Sequence, residues 1–177
     1  MQTTYLWLIP LILLAAGAVI GVLLVLLTRR PTPETEAEYR VEYDTPDYTE
    51  QAIFKITRYP DHEISNLLRH WLINNSTAEL EYNVVPSNDV RLRVAPSDKL
   101  LIPSDYTDEE YEMVTNYEID GIPVTQYQSP GRLGMSTWTK EGFDYAVTAE
   151  NPEMNLLNGV TYDFVMNTDA ESSPDRD

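Results

Sequence analysis

The sequence predicts an α+β fold: an N-terminal transmembrane helix, then a mainly antiparallel β-sheet domain with two or three packed helices. Three observations carry this. An uncharged run of 24 residues, Tyr5 to Thr28, opens the chain. Beyond residue 37 apolar residues mostly alternate with polar ones, the period of half-buried strands. Helix-period segments are few, and no strand–helix–strand repetition links them, which argues against α/β.

The elements follow in order. Residues 1–4 form a short tail without basic side chains. Residues 5–28, as a helix, span about 36 Å, enough for a hydrocarbon core of about 30 Å. Tyr5 and Trp7 mark one interface, and Arg29 and Arg30 flank the other end. A cleaved signal peptide fits less well, because no basic n-region precedes the run and the apolar stretch is too long. Residues 29–37, with Pro31-Thr32-Pro33 and acids behind them, read as an extended stalk.

The soluble domain is expected over 38–167. Tyr39, Val41 and Tyr43 make one strand face, and Ala52, Phe54 and Ile56 a second. Ile64, Leu67, Leu68, Trp71 and Leu72 recur at helical spacing, predicting an amphipathic helix that ends near Asn74-Asn75 and buries Leu68 and Trp71. Ala78–Val84 and Val90–Val94 alternate as a hairpin, with Glu79 and Glu81 facing Arg91 and Arg93 on a solvated sheet face. Residues 96–106 read as loop. Thr107-Asp108-Glu109-Glu110 resembles a capping box and predicts a short helix through Val114. Asp120-Gly121 between Tyr117–Ile119 and Ile122–Tyr127 is a tight-hairpin signal, with Pro123 suggesting an edge or bulge. Met135–Thr139 and Phe143, Tyr145 and Val147 flank a turn at Lys140-Glu141-Gly142. Asn151-Pro152-Glu153 opens a final helix reaching Phe164, weakened by Gly159. Residues 168–177 are polar and expected to be disordered.

Charge restricts the partners. All 29 acidic residues lie beyond residue 33, and the chain carries a net charge of −17. Nucleic-acid phosphates need cations, so nucleic acid is not an expected partner. The lipid bilayer is, through residues 5–28, and so is a protein or other envelope component. The chain has no cysteine, which removes disulfides, thiolate metal sites and cysteine nucleophiles.

Catalytic sets are sparse. His62-Glu63 starts a zinc-protease motif, but Asn66 stands where its second histidine belongs. His62 and His70 lie too far apart along the predicted helix to share a metal. They are expected to face solvent or be satisfied. No Gly-x-Ser-x-Gly elbow occurs. The acids at Asp105, Asp108, Glu109, Glu110 and Glu112 read as helix-start residues, with a cation site as the alternative. No cofactor, metal or catalytic residue is assigned. Asn74-Asn75-Ser76-Thr77 holds two overlapping glycosylation sequons. Strand aromatics are abundant. Their ordinary use is core packing, and the alternative is a ligand groove. Tyr117, Tyr127, Trp138 and Tyr145 are the candidate binding surface.

From residue 115 to 165 the order of signals is Ile119-Asp120-Gly121, Val124-Thr125-Gln126-Tyr127, Thr137-Trp138-Thr139, Glu141-Gly142-Phe143, Tyr145-Ala146-Val147 and a terminal helix to Phe164. This resembles the bacterial domain of unknown function 4367, with residues 37–60 as its possible beginning. The resemblance implies an extracytoplasmic domain behind a single membrane helix, as in anti-sigma-factor-like and sporulation-associated proteins. Residues 64–114 depart from it as a long insertion. No sigma-binding domain precedes the membrane run, so an anti-sigma role is not carried over. The family offers no catalytic residues. The resemblance favours a domain outside the membrane, whereas Arg29 and Arg30 favour the cytoplasm. The expected function is a single-pass membrane-anchored envelope protein with a non-catalytic acidic binding or sensing domain. A carboxylate-based envelope glycan hydrolase and a structural subunit of a membrane complex remain the alternatives.

Overall fold

The computed structural model describes residues 38–84, 88–150 and 152–173. The short tail 1–4, the transmembrane run 5–28 and the stalk 29–37 lie outside the described residues. No helix among the described residues is long and apolar enough to cross a membrane.

The α+β expectation is corrected to a mainly antiparallel β fold. The described residues form ten strands: β1 (Arg40–Tyr43), β2 (Phe54–Arg58), β3 (Ser65–Ile73), β4 (Thr77–Val84), β5 (Asn88–Pro96), β6 (Met113–Ile119), β7 (Ile122–Gln128), β8 (Leu133–Lys140), β9 (Phe143–Glu150) and β10 (Asp169–Ser172). The helices are α1 (Ser104–Thr107), a single turn, and α2 (Met154–Asn167). Eight strands make one sheet in the order β1-β3-β4-β5-β9-β8-β7-β6, and β10 pairs with β2 as a separate ribbon.

The largest correction is β3. Its apolar residues have helical spacing because the strand bulges. Ser65 and Leu67 stand opposite Val84 and Tyr82 on the inner face, and His70 and Leu72 stand opposite Leu80 and Ala78 on that same face. The register shift between Leu67 and Arg69 inserts a residue, so the inward positions jump by three where a plain strand steps by two. Leu68, expected in the core, is 53% exposed. Trp71 faces the other side of the sheet, half-buried, with the Arg40 guanidinium 4.8 Å above its ring. The helix expected from Thr107 to Val114 is also absent. Thr107 ends α1, and Val114 already lies in β6, where its β-branched side chain suits the ladder to β7. Of the tail expected to be disordered over 168–177, residues 174–177 lie outside the described residues, and Asp169–Ser172 form β10, held to β2 by Asp169 with Arg58 (2.5 Å) and Glu171 with Lys55 (2.8 Å).

The tight turns follow the sequence. Asp120 and Gly121 have φ of 49° and 79°, and Glu141 and Gly142 have 52° and 81°. Both are two-residue loops with positive φ at each position, the twist that matches a hairpin. The expected three-residue turn at Lys140 is thus one residue shorter, because Lys140 pairs with Phe143. Pro123 is not on a sheet edge. It stands one residue outside the β7–β8 ladder, which begins at Val124 and Trp138, so its missing donor costs no bond there.

The inner face of the sheet carries the core. Leu72, Leu80, Tyr82, Leu92, Val94, Tyr145, Val147 and Trp138 are buried there under α2 and the β2–β10 ribbon. Phe164 of α2 meets Tyr82 at 4.8 Å, and Phe54 of β2 meets Phe143 at 5.7 Å. Helix α2 approaches β8 closely at Gly134. A Cβ there would lie 2.6 Å from Pro152 Cγ and 2.9 Å from Leu157 Cδ2.

The outer face holds charge, and it is not the solvated surface the hairpin pattern predicts. Glu79 is 0% exposed and Arg93 2%. Arg93 Nε donates to Glu79 Oε2 at 2.6 Å, and its Nη1 and Nη2 donate to the two oxygens of Glu38, each at 2.9 Å. Nη1 also donates to the Leu101 carbonyl at 2.7 Å. Arg40 closes the set, pairing with Glu79 and, at 3.2 Å, with Glu81. Residues 97–103 roof this network, fixed by Thr77 Oγ1, which donates to the Lys99 carbonyl and accepts from Leu101 N–H. Burial alone would push the Arg93 value down, but hydrogen bonds to Glu38 and the Glu79 charge outweigh it and leave it raised.

Three predictions follow from packing and charge. Gly134→Ala overpacks the α2 contact and lowers unfolding free energy by about 1–3 kcal/mol. Gly159 lies exposed in α2 with open space where a Cβ would go, so Gly159→Ala raises stability by about 1 kcal/mol. Urea titration of each variant checks both signs.

The third concerns acid. The Arg93 hydrogen bond holds the Glu38 carboxyl below its ordinary 4.5. The stabilisation is therefore in full force above pH 4.5 and fades as pH falls through the lower folded-state value. Glu38→Gln is expected to lower stability at neutral pH and to flatten the acid limb of the stability–pH curve. An acid limb as steep as the parent's would contradict the assignment.

Candidate functional site

Beyond α2 the sheet continues into β7 and the last strand, β6. The inner positions of β7 run Ile122, Val124, Gln126, Gln128, changing from apolar to amide where the strand meets α2 and the residues that lead into it. Here a groove of about 430 Å³ opens between β6–β7 and α2. Met113, Tyr117 and Ile119 of β6 form one wall, and Asn158 and Tyr162, one helical turn apart on α2, form the other.

The floor is polar and internally bonded. Tyr117 donates its hydroxyl to Gln126 Oε1 at 2.8 Å, and Gln126 Nε2 donates to Asn158 Oδ1 at 2.9 Å. Gln126 is buried, so these bonds offset the cost of keeping its amide out of water, and the buried Gln128 amide donates to the Pro152 carbonyl. Burial pushes the Tyr117 phenol above its ordinary value. Tyr162, 59% exposed, stands at the rim as an uncovered aromatic ring. A groove of this kind presents an apolar surface with a few fixed donors and acceptors, the usual make-up of a binding site.

The candidate aromatic surface does not come together as one patch. Tyr117, Trp138 and Tyr145 lie in one row across the sheet, linked by the pairs Tyr117–Val124, Val124–Trp138 and Trp138–Tyr145. Trp138 and Tyr145 are buried and stacked, with ring centroids 5.2 Å apart, so they belong to the core. Tyr127 points to the opposite face and packs on Tyr111 at 5.4 Å. Only Tyr117 reaches the groove. Gln126, Gln128, Asn158 and Tyr162 are groove residues that the aromatic search missed. The paired glutamines at inward strand positions were the readable signal.

Of the histidines, His62 is exposed and hydrogen-bonded, as expected, whereas His70 is not fully satisfied. His62 Nε2 donates to Asp163 Oδ2 at 3.1 Å, while its Nδ1 accepts from the backbone N–H of Ile64 and Ser65 at 3.3 and 3.4 Å. Ser65 Oγ donates to that same Asp163 oxygen at 3.1 Å. Serine, histidine and aspartate therefore meet, but the carboxylate sits between the other two. The serine proton points at Asp163, the imidazole acceptor is already used by backbone, and Ser65 is buried. A nucleophilic relay needs the hydroxyl bonded to the imidazole, which this order does not supply. His70 Nε2 is away from solvent and has no partner among the described residues, and burial pushes the His70 value down.

Of the acids near α1, Glu109 is engaged by Arg132 at 2.8 Å. Among the described residues no group of three or more His, Asp or Glu stands in metal-holding geometry. Asn74 and Asn75 form the β3–β4 turn with positive φ, and the Asn74 side-chain Oδ1 accepts from Tyr39 N–H at 2.8 Å. Of the two sequon residues, Asn75 thus has the less committed side chain.

The chain matches no protein-family model, and no curated protein or solved structure is similar to it.

Tyr162→Ala is expected to change stability by less than about 0.5 kcal/mol, because the ring is largely exposed. Gln126→Leu removes the acceptor of the half-buried Tyr117 hydroxyl and the donor to Asn158 Oδ1, and costs about 1–3 kcal/mol. Thermal unfolding of both variants separates rim from floor.

Proposed function

We propose that the chain is a single-pass membrane-anchored envelope protein whose acidic β-domain binds or senses a ligand without catalysis. The groove between β6–β7 and α2 carries this reading: it has a bonded polar floor, an apolar wall and an uncovered tyrosine at the rim. The anchor rests on the uncharged run 5–28. Placement of the domain outside the membrane rests on the resemblance of residues 115–165 to the domain of unknown function 4367 and on the stalk.

The hydrolase alternative needs a carboxyl with a raised value to act as general acid. The described carboxyls with a resolved shift, Glu38, Asp47 and Asp169, all move down, held by Arg93, by Thr49 and by Arg58. These three are therefore not candidates for the general acid.

Amide chemical-shift mapping with a library of small aromatic and amide compounds tests the site. Perturbations are expected to cluster on residues 113–119, 126–128 and 155–162, and Tyr162→Ala is expected to weaken them. Shifts scattered evenly over the sheet would contradict the groove. Orientation is tested separately, since the chain has no native cysteine. A Gln51→Cys variant is expected to react with an impermeant maleimide on intact cells. Reaction only after lysis would place the domain in the cytoplasm.

A further inference from the structure

We propose that β6 accepts an extended cationic segment of a partner protein as an added strand. The inference rests on the groove reading and names the partner class for that site. Strand β6 ends the eight-stranded sheet, and among the described residues no strand pairs with its outer side. Its ladder to β7 runs without a register shift from Met113–Gln128 to Ile119–Ile122. In a two-residue hairpin the pair next to the turn exchanges both hydrogen bonds, and bonded and unbonded pairs then alternate. Ile119, Tyr117, Thr115 and Met113 thus bond to β7. The N–H and C=O groups of Val114, Asn116 and Glu118 point away from it, into the open edge.

Natural edge strands are usually blunted by shortness, Lys, Pro or a bulge. The opposite edge, β1, is four residues long and its Arg40 is committed to Glu79. The seven residues of β6, MVTNYEI, include neither Lys nor Pro, and Val114 is 55% exposed. Strand β6 is therefore a long, regular template for backbone pairing.

Charge selects the occupant. No Lys or Arg occurs between Lys99 and Arg132, or between Lys140 and Arg176, so β6, β7 and α2 carry no cation. Glu110, Glu112, Glu118 and Asp120 flank or lie on the edge. A second copy of this chain would bring the same acids against them, and like charges across a strand pair are unfavourable. A strand with lysine or arginine at alternate positions complements them. Its other side chains, alternating to the inner face, continue the row beyond Tyr117 and enter the groove beside Tyr162.

The test uses the full chain in detergent micelles and peptides matching the seven residues of β6, built of alternating lysine and valine. One form is unmodified. A second is N-methylated on the amides of one register, and a third on those of the other. Methylation removes donors without changing charge. One methylated register is expected to bind about tenfold or more weaker than the unmodified peptide, through loss of the hydrogen bonds to β6, and the other is expected to bind nearly unchanged. Asn116→Pro in the chain, which removes an outward N–H and spares the β7 ladder, is expected to weaken the unmodified peptide similarly. A glutamate–valine peptide is expected not to bind. Equal binding of all three cationic forms would mean bulk charge attraction and would overturn the proposal, as would no binding at all. Dimerisation abolished by Glu118→Lys would also overturn it, assigning the edge to a second copy. Should the peptides fail while small compounds still shift residues 155–162, the added strand is refuted and the groove reading stands.

Discussion

The buried pairing of Arg93 with Glu79 is the constraint around which the sheet is assembled. An ion taken out of water costs several kcal/mol unless its partners replace the lost hydration. Here the replacement comes from four places along the chain: Glu79 on β4, Glu38 and Arg40 at the edge strand, and the Leu101 carbonyl in the roof. Each segment must be in place for the others to be satisfied. Strand β1 is only four residues long, yet Glu38 and Arg40 tie it into the same network that joins β4 to β5. The roof at 97–103 would have little reason to lie on a sheet face without Arg93 beneath it.

With charge occupying the outer face, the inner face supplies the hydrophobic core. One fourteen-residue helix and one two-stranded ribbon cover it. Eight strands are wider than that cover. Gly134 lets α2 settle against β8, from where Asn158 reaches Gln126 of β7. Beside the helix the inward residues of β7 become glutamines, which are buried and whose amides donate to Asn158 and to the Pro152 carbonyl. The groove is thus a consequence of the fold's own proportions.

The hairpins were legible in the sequence because their information is local. Asp120-Gly121 and Glu141-Gly142 each hold both residues that adopt positive φ, and the strands on either side alternate cleanly. Helix α2 was legible for the same reason, since Leu157, Val160 and Phe164 repeat at its own period. What failed depended on contacts distant in sequence. The bulge in β3 gave a strand the spacing of a helix. The alternation of Glu79 and Glu81 with Arg91 and Arg93 looks the same whether solvent or a loop lies over it, and only the roof at 97–103 makes the difference. Strand β10 is polar and gains its order from Arg58, Lys140 and Lys55, each at least 28 residues away. Of the candidate site, Tyr117 was found by its chemistry. Tyr127 was misplaced by a single step of strand parity, and Trp138 and Tyr145 went to the core.

A double-mutant cycle on the charged pair probes the central claim directly, with urea unfolding of the parent chain, Arg93→Met, Glu79→Leu and the double variant at neutral pH. Arg93→Met leaves the buried Glu79 with Arg40 alone and Glu79→Leu leaves the buried Arg93 with Glu38 and the Leu101 carbonyl, whereas removing both deletes the two fully buried charges and leaves Glu38 and Arg40, which reach solvent. The account predicts a loss of about 3–5 kcal/mol for either single variant and recovery of most of it in the double. Single losses below about 1 kcal/mol that simply add in the double variant would contradict it, because the two charges would then be neither buried together nor dependent on one another.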